Sequence, residues 1–363
     1  MKNIFTLLCA GLVGMLAACE TILPVDISED ERWGITLNAV ASPDTTFKAY
    51  VTRCYPSTEA PEYKYNYVII DGYWIQDPVR HYLYSMLYKY DDEASVPFNI
   101  PSNYNLIKES TLTDAEVELT VNGEDVYPME YDTLMLCFQS DYTPAIGDRL
   151  EVRINDATGK QTVARTEIPR PQKLEIVSME TELLEKEEYI REPEVGFNKG
   201  YVKMKLRLHD PGDEKNYYRL AVRGINTDRG NNQLYNEIWD VFQSSAPIFR
   251  DDRLTTGWDK GPAFFSNVFD DALMNGEAYE FEVKTYVLGV TYQDYWPTYE
   301  VSLQSITEDY YRYLKSLQLY KISTLDTYSE GVYIHSNNEG GWGMLGGICG
   351  EVHRIDPFND KRE

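Results

Sequence analysis

A strict two-residue alternation, broken by turns, constrains this chain more than any other feature. At 115–121 the apolar Ala115, Val117, Leu119 and Val121 alternate with Glu116, Glu118 and Thr120, and Asn122-Gly123 follows. Successive side chains of a strand point to opposite faces, so such a run fits a strand with one buried face. Asn-Gly is the pair that a tight hairpin turn selects. The signature recurs. Ile35, Leu37, Ala39 and Ala41 alternate, Ser42-Pro43-Asp44 turns the chain, and 47–53 returns. Residues 134–138 read as a short apolar strand, 150–154 alternate after Gly147-Asp148, and 156–159 turn the chain into 162–168. Together they predict an N-terminal β-sandwich of immunoglobulin-like size over 33–170.

Pro169-Arg170-Pro171 is a stiff junction and marks the domain boundary. Strand patterns resume at 174–180, 201–208, 217–222, 279–283 and 299–303, with Asp210-Pro211-Gly212-Asp213 as a turn. They predict a fibronectin type III-like sandwich over 171–363, with an insertion at 226–262 that carries Tyr235, Trp239, Phe242 and Trp258. Ser305 followed by Glu308 reads as a capping box, and Ile306, Tyr310, Tyr313, Leu314 and Leu317 form the apolar face of one helix. Beyond it, 332–352 read as a glycine-rich terminal hairpin. The fold class is therefore mainly β, with a short helix near the C-terminus.

The first sandwich carries a tyrosine-rich insertion at 56–110 that the pattern leaves open. Tyr63, Tyr65 and Tyr67 would share a strand face. Asp77-Pro78 fits a helix start, with Val79, Tyr82, Leu83, Met86, Leu87 and Tyr90 at helical spacing. A strand with Tyr82, Tyr84, Met86, Tyr88 and Tyr90 on one face competes with it.

Ahead of all this, Lys2 precedes an apolar run at 4–16 and then Leu16-Ala17-Ala18-Cys19. That run is shorter than the roughly 20 residues of a spanning helix. A basic start, an apolar middle and small residues before a cut make a secretory signal. With Cys at the cut, the pattern is a lipobox. The expectation is a signal peptide over 1–18, acyl chains on Cys19, and an acidic tether over 19–32. Two or more acyl chains anchor a protein stably to a membrane.

Composition narrows the function classes. With 34 basic and 59 acidic residues the net charge is −25, which disfavours nucleic acid and anionic lipid surfaces as partners. Beside Cys9 and Cys19 only Cys54, Cys137 and Cys349 remain, too few for a disulfide scaffold, and no CxxC pair points to zinc. The four histidines have no metal-binding spacing, and no G-x-S-x-G elbow is present. His209 beside Asp210 reads as a turn contact. Asp210, Asp213 and Glu214, like Asp91, Asp92 and Glu93, lack EF-hand spacing and read as solvated turns. Gly341 to Gly346 spell G-x-G-x-x-G, but Gly347, Gly350 and Pro357 oppose the helix that a dinucleotide site needs, so tight packing is the reading kept. No catalytic residue, metal site or cofactor is expected. Tyrosine, at 30 residues, suits strands and binding faces. Tyr73, Trp74, Trp239 and Trp258 are the candidate ligand-binding residues, with Trp296 and Trp342 as further aromatics. Core packing is the competing role for each.

Five stretches occur together: Asp114 to Glu124, Asp213 to Leu220, Val268-Phe269-Asp270-Asp271 with Asn275-Gly276, Ser305 to Tyr311, and Ser336 to Gly343. In them the chain resembles the Bacteroidota lipoprotein family known as domain of unknown function 4249, across nearly its whole mature length. It departs from that family at Asn338, where an apolar residue is usual, and in the length of the tyrosine-rich insertion. The resemblance implies a lipid-anchored outer-membrane protein, facing the periplasm or the cell surface. It implies a gene often found beside that of a TonB-dependent transporter, and no known enzymatic activity. A non-enzymatic accessory or ligand-binding role in nutrient uptake is the expectation. A structural or adhesive surface subunit of fimbrial-anchor type is the alternative, and a glycan-active enzyme acting through two carboxylates is a third reading.

Overall fold

The computed structural model describes residues 34–54, 67–70, 73–76, 110–183, 187–188, 196–197, 200–227 except 213, 234–239, 242–251, 265–286 except 275, 290–291, 298–323 and 332–357. The signal and tether, Cys19, the helix-or-strand question at 77–90, and Trp258 lie outside them.

The protein is mainly β, with several sheets and, among the described residues, one helix of more than three residues, near the C-terminus. In the first half, β1 (Gly34–Ala41) and β2 (Lys48–Cys54) are followed by β3 (Tyr67–Ile70), β4 (Tyr73–Gln76), β5 (Glu116–Val121) and β6 (Asp125–Pro128). Then come β7 (Glu130–Asp132), β8 (Cys137–Gln139), β9 (Arg149–Asn155) and β10 (Gln161–Glu167). The second half begins with β11 (Leu174–Leu183), β12 (Glu187–Glu188), β13 (Gly196–Phe197), β14 (Gly200–His209), β15 (Tyr217–Thr227), β16 (Leu234–Trp239) and β17 (Phe242–Gln243). It continues through β18 (Val268–Asp270), β19 (Ala278–Tyr286), β20 (Val290–Thr291), β21 (Thr298–Ile306), helix α1 (Glu308–Ser323), β22 (Asn338–Glu339) and β23 (Trp342–Ile355).

One nine-stranded sheet runs β16-β15-β21-β23-β1-β2-β8-β7, with β18 also paired to β15. Two smaller sheets complete the hydrophobic cores, one of order β22-β10-β9-β5-β6 and one of order β11-β14-β19-β17. The first core gathers Leu37, Val51, Leu119, Val152 and Ile154. The second gathers Met204, Leu206, Tyr218, Phe249, Phe281 and Val301. Alternation does what the sequence pattern promised: Val117, Leu119 and Val121 are buried while Glu116 and Glu118 are exposed. Asn122 and Gly123 both take positive φ, the geometry of a tight hairpin turn.

Strand β23 joins the halves. Its first part pairs parallel to β1, Leu37 opposite Gly343 and Ala39 opposite Leu345. Its second part pairs antiparallel to β21, Ser305 opposite Cys349 and Tyr299 opposite Ile355. Leu345 and Cys349 enter the first core, and Ile355 packs against the second. The terminal hairpin is thus corrected. β22 pairs with β10, not with β23, and the glycines lie inside one continuous strand. They are there for close approach. At Gly343, with φ +97°, a Cβ would stand 2.1 Å from the Leu37 carbonyl oxygen.

Three further expectations change. Ser305 does not cap α1: it is the penultimate residue of β21, 3 % exposed. Thr307 occupies the position before the helix, where its carbonyl accepts from Tyr311 N and its hydroxyl accepts from Gly347 N. The strand expected at 134–138 begins only at Cys137. Asp132 Oδ1 accepts from the backbone N–H groups of Leu134 and Met135 and folds that stretch into a turn, leaving Leu134 exposed. The insertion at 226–262 is not only polar surface. β16 extends the large sheet, and Phe242, Ile248 and Phe249 are buried in the second core.

Candidate ligand-binding groove

Helix α1 is held on the large sheet from three sides. Tyr310, Tyr311 and Leu314 pack on Tyr217, Val268 and Ile306, as does Ile348 of β23. On another side Lys315 Nζ donates to Asp251 Oδ2 at 2.8 Å and Ser266 Oγ at 3.0 Å, with the ion pair nearly sealed from solvent. A buried charge without its partner is costly, so this pair fixes the helix to the loop before β18. On the third side His335 Nε2 lies 2.8 Å from Asp309 Oδ1, and His335 N donates to Ser316 Oγ. Gly346 lets the helix sit this close, since a Cβ there would stand 2.7 Å from Tyr310 Cγ.

A groove of about 350 Å³ opens beside the helix. Its floor is the outer face of β1, β2 and β23, with Asn38, Val40, Lys48, Tyr50 and Met344. Its wall is Tyr310 and Tyr313, whose rings stack 6.4 Å apart at an interplanar angle of 17°. Thr45 and Thr46, from the β1–β2 turn, close one end. Burial pushes the phenols of Tyr50 and Tyr313 above their ordinary pKa, so both stay protonated donors. Neither Tyr50 nor Tyr313 hydroxyl has a hydrogen-bond partner among the described residues. Lys48 is half-buried and has no ion pair there either. Lys173, Lys203, Lys205, Lys215 and Lys315 each have a carboxylate within 4 Å. Lined mostly by apolar and aromatic groups with a few polar ones, the groove has the size and make-up of a small-molecule site.

Two other concavities are chemically different. One, of about 540 Å³, lies between the edge strands β6 and β7 and holds Tyr127, Tyr131, Glu130, Asp132 and Asp141. Asp132 is already used, accepting from two backbone N–H groups and from Gln139. The other, on the outer face of β9 and β10, is lined by Arg149, Arg153, Arg165, Glu151 and Glu167. Here three arginines meet two glutamates in pairs at 2.8 to 3.3 Å, and Arg165 also pairs with Glu339 at 2.8 Å.

None of the expected ligand residues is among the described residues that line this groove, and Trp258 lies outside the described residues. Tyr73 and Trp74 lie on β4, opposite Ile70 and Ile69 of β3. Trp239 ends β16, opposite Arg223. Trp342, 49 % exposed, starts β23, and its ring lies against Gly34. The groove tyrosines come from positions about 260 residues apart in sequence, so no local motif joins them. The i, i+3 pair Tyr310 and Tyr313 was legible, but only as a packing face.

Other candidates resolve structurally. His209 does not contact Asp210; its Nε2 stands 3.3 Å from Glu175. Lys173 first, then His209, hold Glu175 down to a pKa of about 2. Asp210 accepts from Tyr218 Oη at 2.5 Å and Gly276 N at 2.8 Å, so its oxygens are engaged in a buried turn. Among the described residues no group of three His, Cys, Asp or Glu is placed to hold a metal ion. Cys54, Cys137 and Cys349 are free thiols, and burial raises Cys137 to about 11. Among the same residues no helix is long and apolar enough to cross a membrane.

A search of curated proteins finds no match. Among solved structures the chain is similar to a putative membrane anchored protein from Corynebacterium diphtheriae, at 9 % identity and a TM-score of 0.17. That alignment covers 75 % of this chain and 54 % of the other, so the chain spans about half that protein's length. A likeness this slight carries no argument. The family model described as Domain of unknown function (DUF4249) matches residues 20–349, nearly the whole described fold, and the chain belongs to that family.

Proposed function

We propose that this protein is a non-enzymatic, lipid-anchored outer-membrane protein that serves a TonB-dependent transporter as an accessory or ligand-binding partner in nutrient uptake. The observation that carries the binding half of this reading is the tyrosine-walled groove with Lys48, which has no ion pair among the described residues. The anchoring half rests on the lipobox at Cys19. On this reading the two layered halves are an immunoglobulin-like and a fibronectin type III-like sandwich that share β23, and the acyl chains hold them at the membrane. Mass spectrometry of the N-terminal peptide should find Cys19 as an acylated first residue. Affinity capture of tagged protein from solubilised outer membranes should retrieve a transporter. An unmodified N-terminus and capture of no envelope protein would remove both halves.

A second reading, a structural or adhesive subunit, draws on one observation. Strand β23 enters the large sheet between β21 and β1, strands that precede it in sequence, and late insertion of a strand is also the device of strand donation between subunits. Detergent-resistant ladders would favour it, and a monodisperse monomer would count against it.

A further inference from the structure

We infer that the tyrosine groove binds a small anionic ligand that bears a carboxylate on a ring with an apolar face. This deepens the binding role proposed above and rests on it. Three features carry the inference. Tyr310 and Tyr313 present stacked, nearly parallel rings, a flat wall on which another ring can lie. Val40 and Met344 give the floor an apolar surface, so the ligand needs an apolar face of its own.

Charge supplies the third feature. The chain carries −25 overall, yet the described residues lining this groove include one cation and no carboxylate. Asp44, in the turn that closes the groove, accepts from Ser42 Oγ at 3.0 Å and is not part of the lining. Lys48 therefore marks a place where an anion meets an ammonium group rather than the acidic surface. A half-buried ammonium without a counter-charge gains most from an anionic partner. Asn38, Thr45, Thr46 and the Tyr50 and Tyr313 hydroxyls supply hydrogen bonds for further polar groups on the same ring. The two other concavities described above do not compete: one is acidic, and the arginines of the other already pair with Glu151, Glu167 and Glu339.

Two kinds of molecule share this chemistry, acidic sugars and aromatic carboxylates. The test is calorimetric titration of the detergent-solubilised full-length protein with digalacturonic acid, 4-hydroxybenzoate and, as neutral control, maltose. One of the two acids should bind, and which one binds identifies the source. Maltose should bind at least tenfold more weakly. Lys48→Gln should weaken the acid roughly tenfold, the scale of one charge-assisted hydrogen bond. Added salt should weaken it further in the wild type than in that variant. Tyr50→Ala, on the sheet surface, should also weaken it, and circular dichroism of both variants should match the wild type. Equal binding of maltose, no binding of either acid, or an unchanged affinity in Lys48→Gln would overturn the inference. Transporter capture by the same variants separates the two levels. If capture persists while acid binding is absent, the ligand class is wrong and the accessory role stands.

Discussion

The two cores are built by different means. The first is mostly aliphatic and comes from regular strands joined by tight turns, with Leu37, Val51, Leu119, Val152 and Ile154 at its centre. The second is aromatic. Phe249 meets Phe242, Phe265, Phe269 and Phe281 at centroid distances of 5.2 to 5.7 Å, and three of those four contacts are edge-on. Phe249 and Phe242 arrive on the irregular insertion, not on a long strand. A core of alternating strands is specified locally, while a core plugged by an insertion depends on one segment finding its place. Both depend on β23, which no local signal assigns to either.

Removing β23 should have the largest effect. A chain ending at residue 341 leaves β1 and β21 without the strand between them and takes Leu345 and Cys349 from the first core. Cooperative thermal unfolding should disappear from both halves. Loss confined to the second half would break the comparison at its root.

Next come substitutions that separate the cores. Phe249→Ala should cost about 3 to 5 kcal/mol, and Ile154→Val only about 1 kcal/mol, both read by denaturant unfolding. Asp251→Asn, which strands the Lys315 ammonium, should cost about 3 to 5 kcal/mol, while Lys315→Met with Asp251→Leu should cost far less. A double variant as unstable as the single one would show that the pair itself, rather than the unpaired charge, matters.

A pH effect should be specific to the first half. Asp148 accepts from Tyr142 Oη at 2.5 Å, Ala145 N at 2.7 Å and Asn122 Nδ2 at 2.9 Å. Burial alone would raise its pKa, but these three bonds outweigh it and the net shift is downward. A depressed carboxylate stabilises the fold fully above its unfolded pKa of about 4, and that stability is lost as pH falls through the lower folded value. Asp148→Asn should flatten the acid limb of a stability–pH curve. The smallest effect belongs to Arg149→Ala, which breaks an exposed pair with Glu167 and should change stability by less than about 0.5 kcal/mol.

The legible parts were those where one periodicity acts alone. Residues 115–123 and 150–154 are legible with their turns because alternation and turn chemistry agree there, and the strands found are Glu116–Val121 and Arg149–Asn155. Ser305 misled because a hydroxyl before an acidic residue fits a cap as well as it fits a buried strand end, and only tertiary context decides. The glycines of β23 hid a strand, since they remove the side chains that a strand pattern needs while allowing β1, β10 and α1 to approach. Lys315 carried no sign of burial, because its partner lies 64 residues away. The groove was illegible for the same reason, as its floor and wall meet only after the last strand enters beside the first.

The shared strand is tested most directly by hydrogen–deuterium exchange on a variant that weakens β23 alone, Gly343→Val, whose side chain would collide with the Leu37 carbonyl. The account predicts that peptides from β5 and β9 in one half, and from β14 and β19 in the other, lose protection together and at the same rate. Protection lost in one half and kept in the other would contradict it.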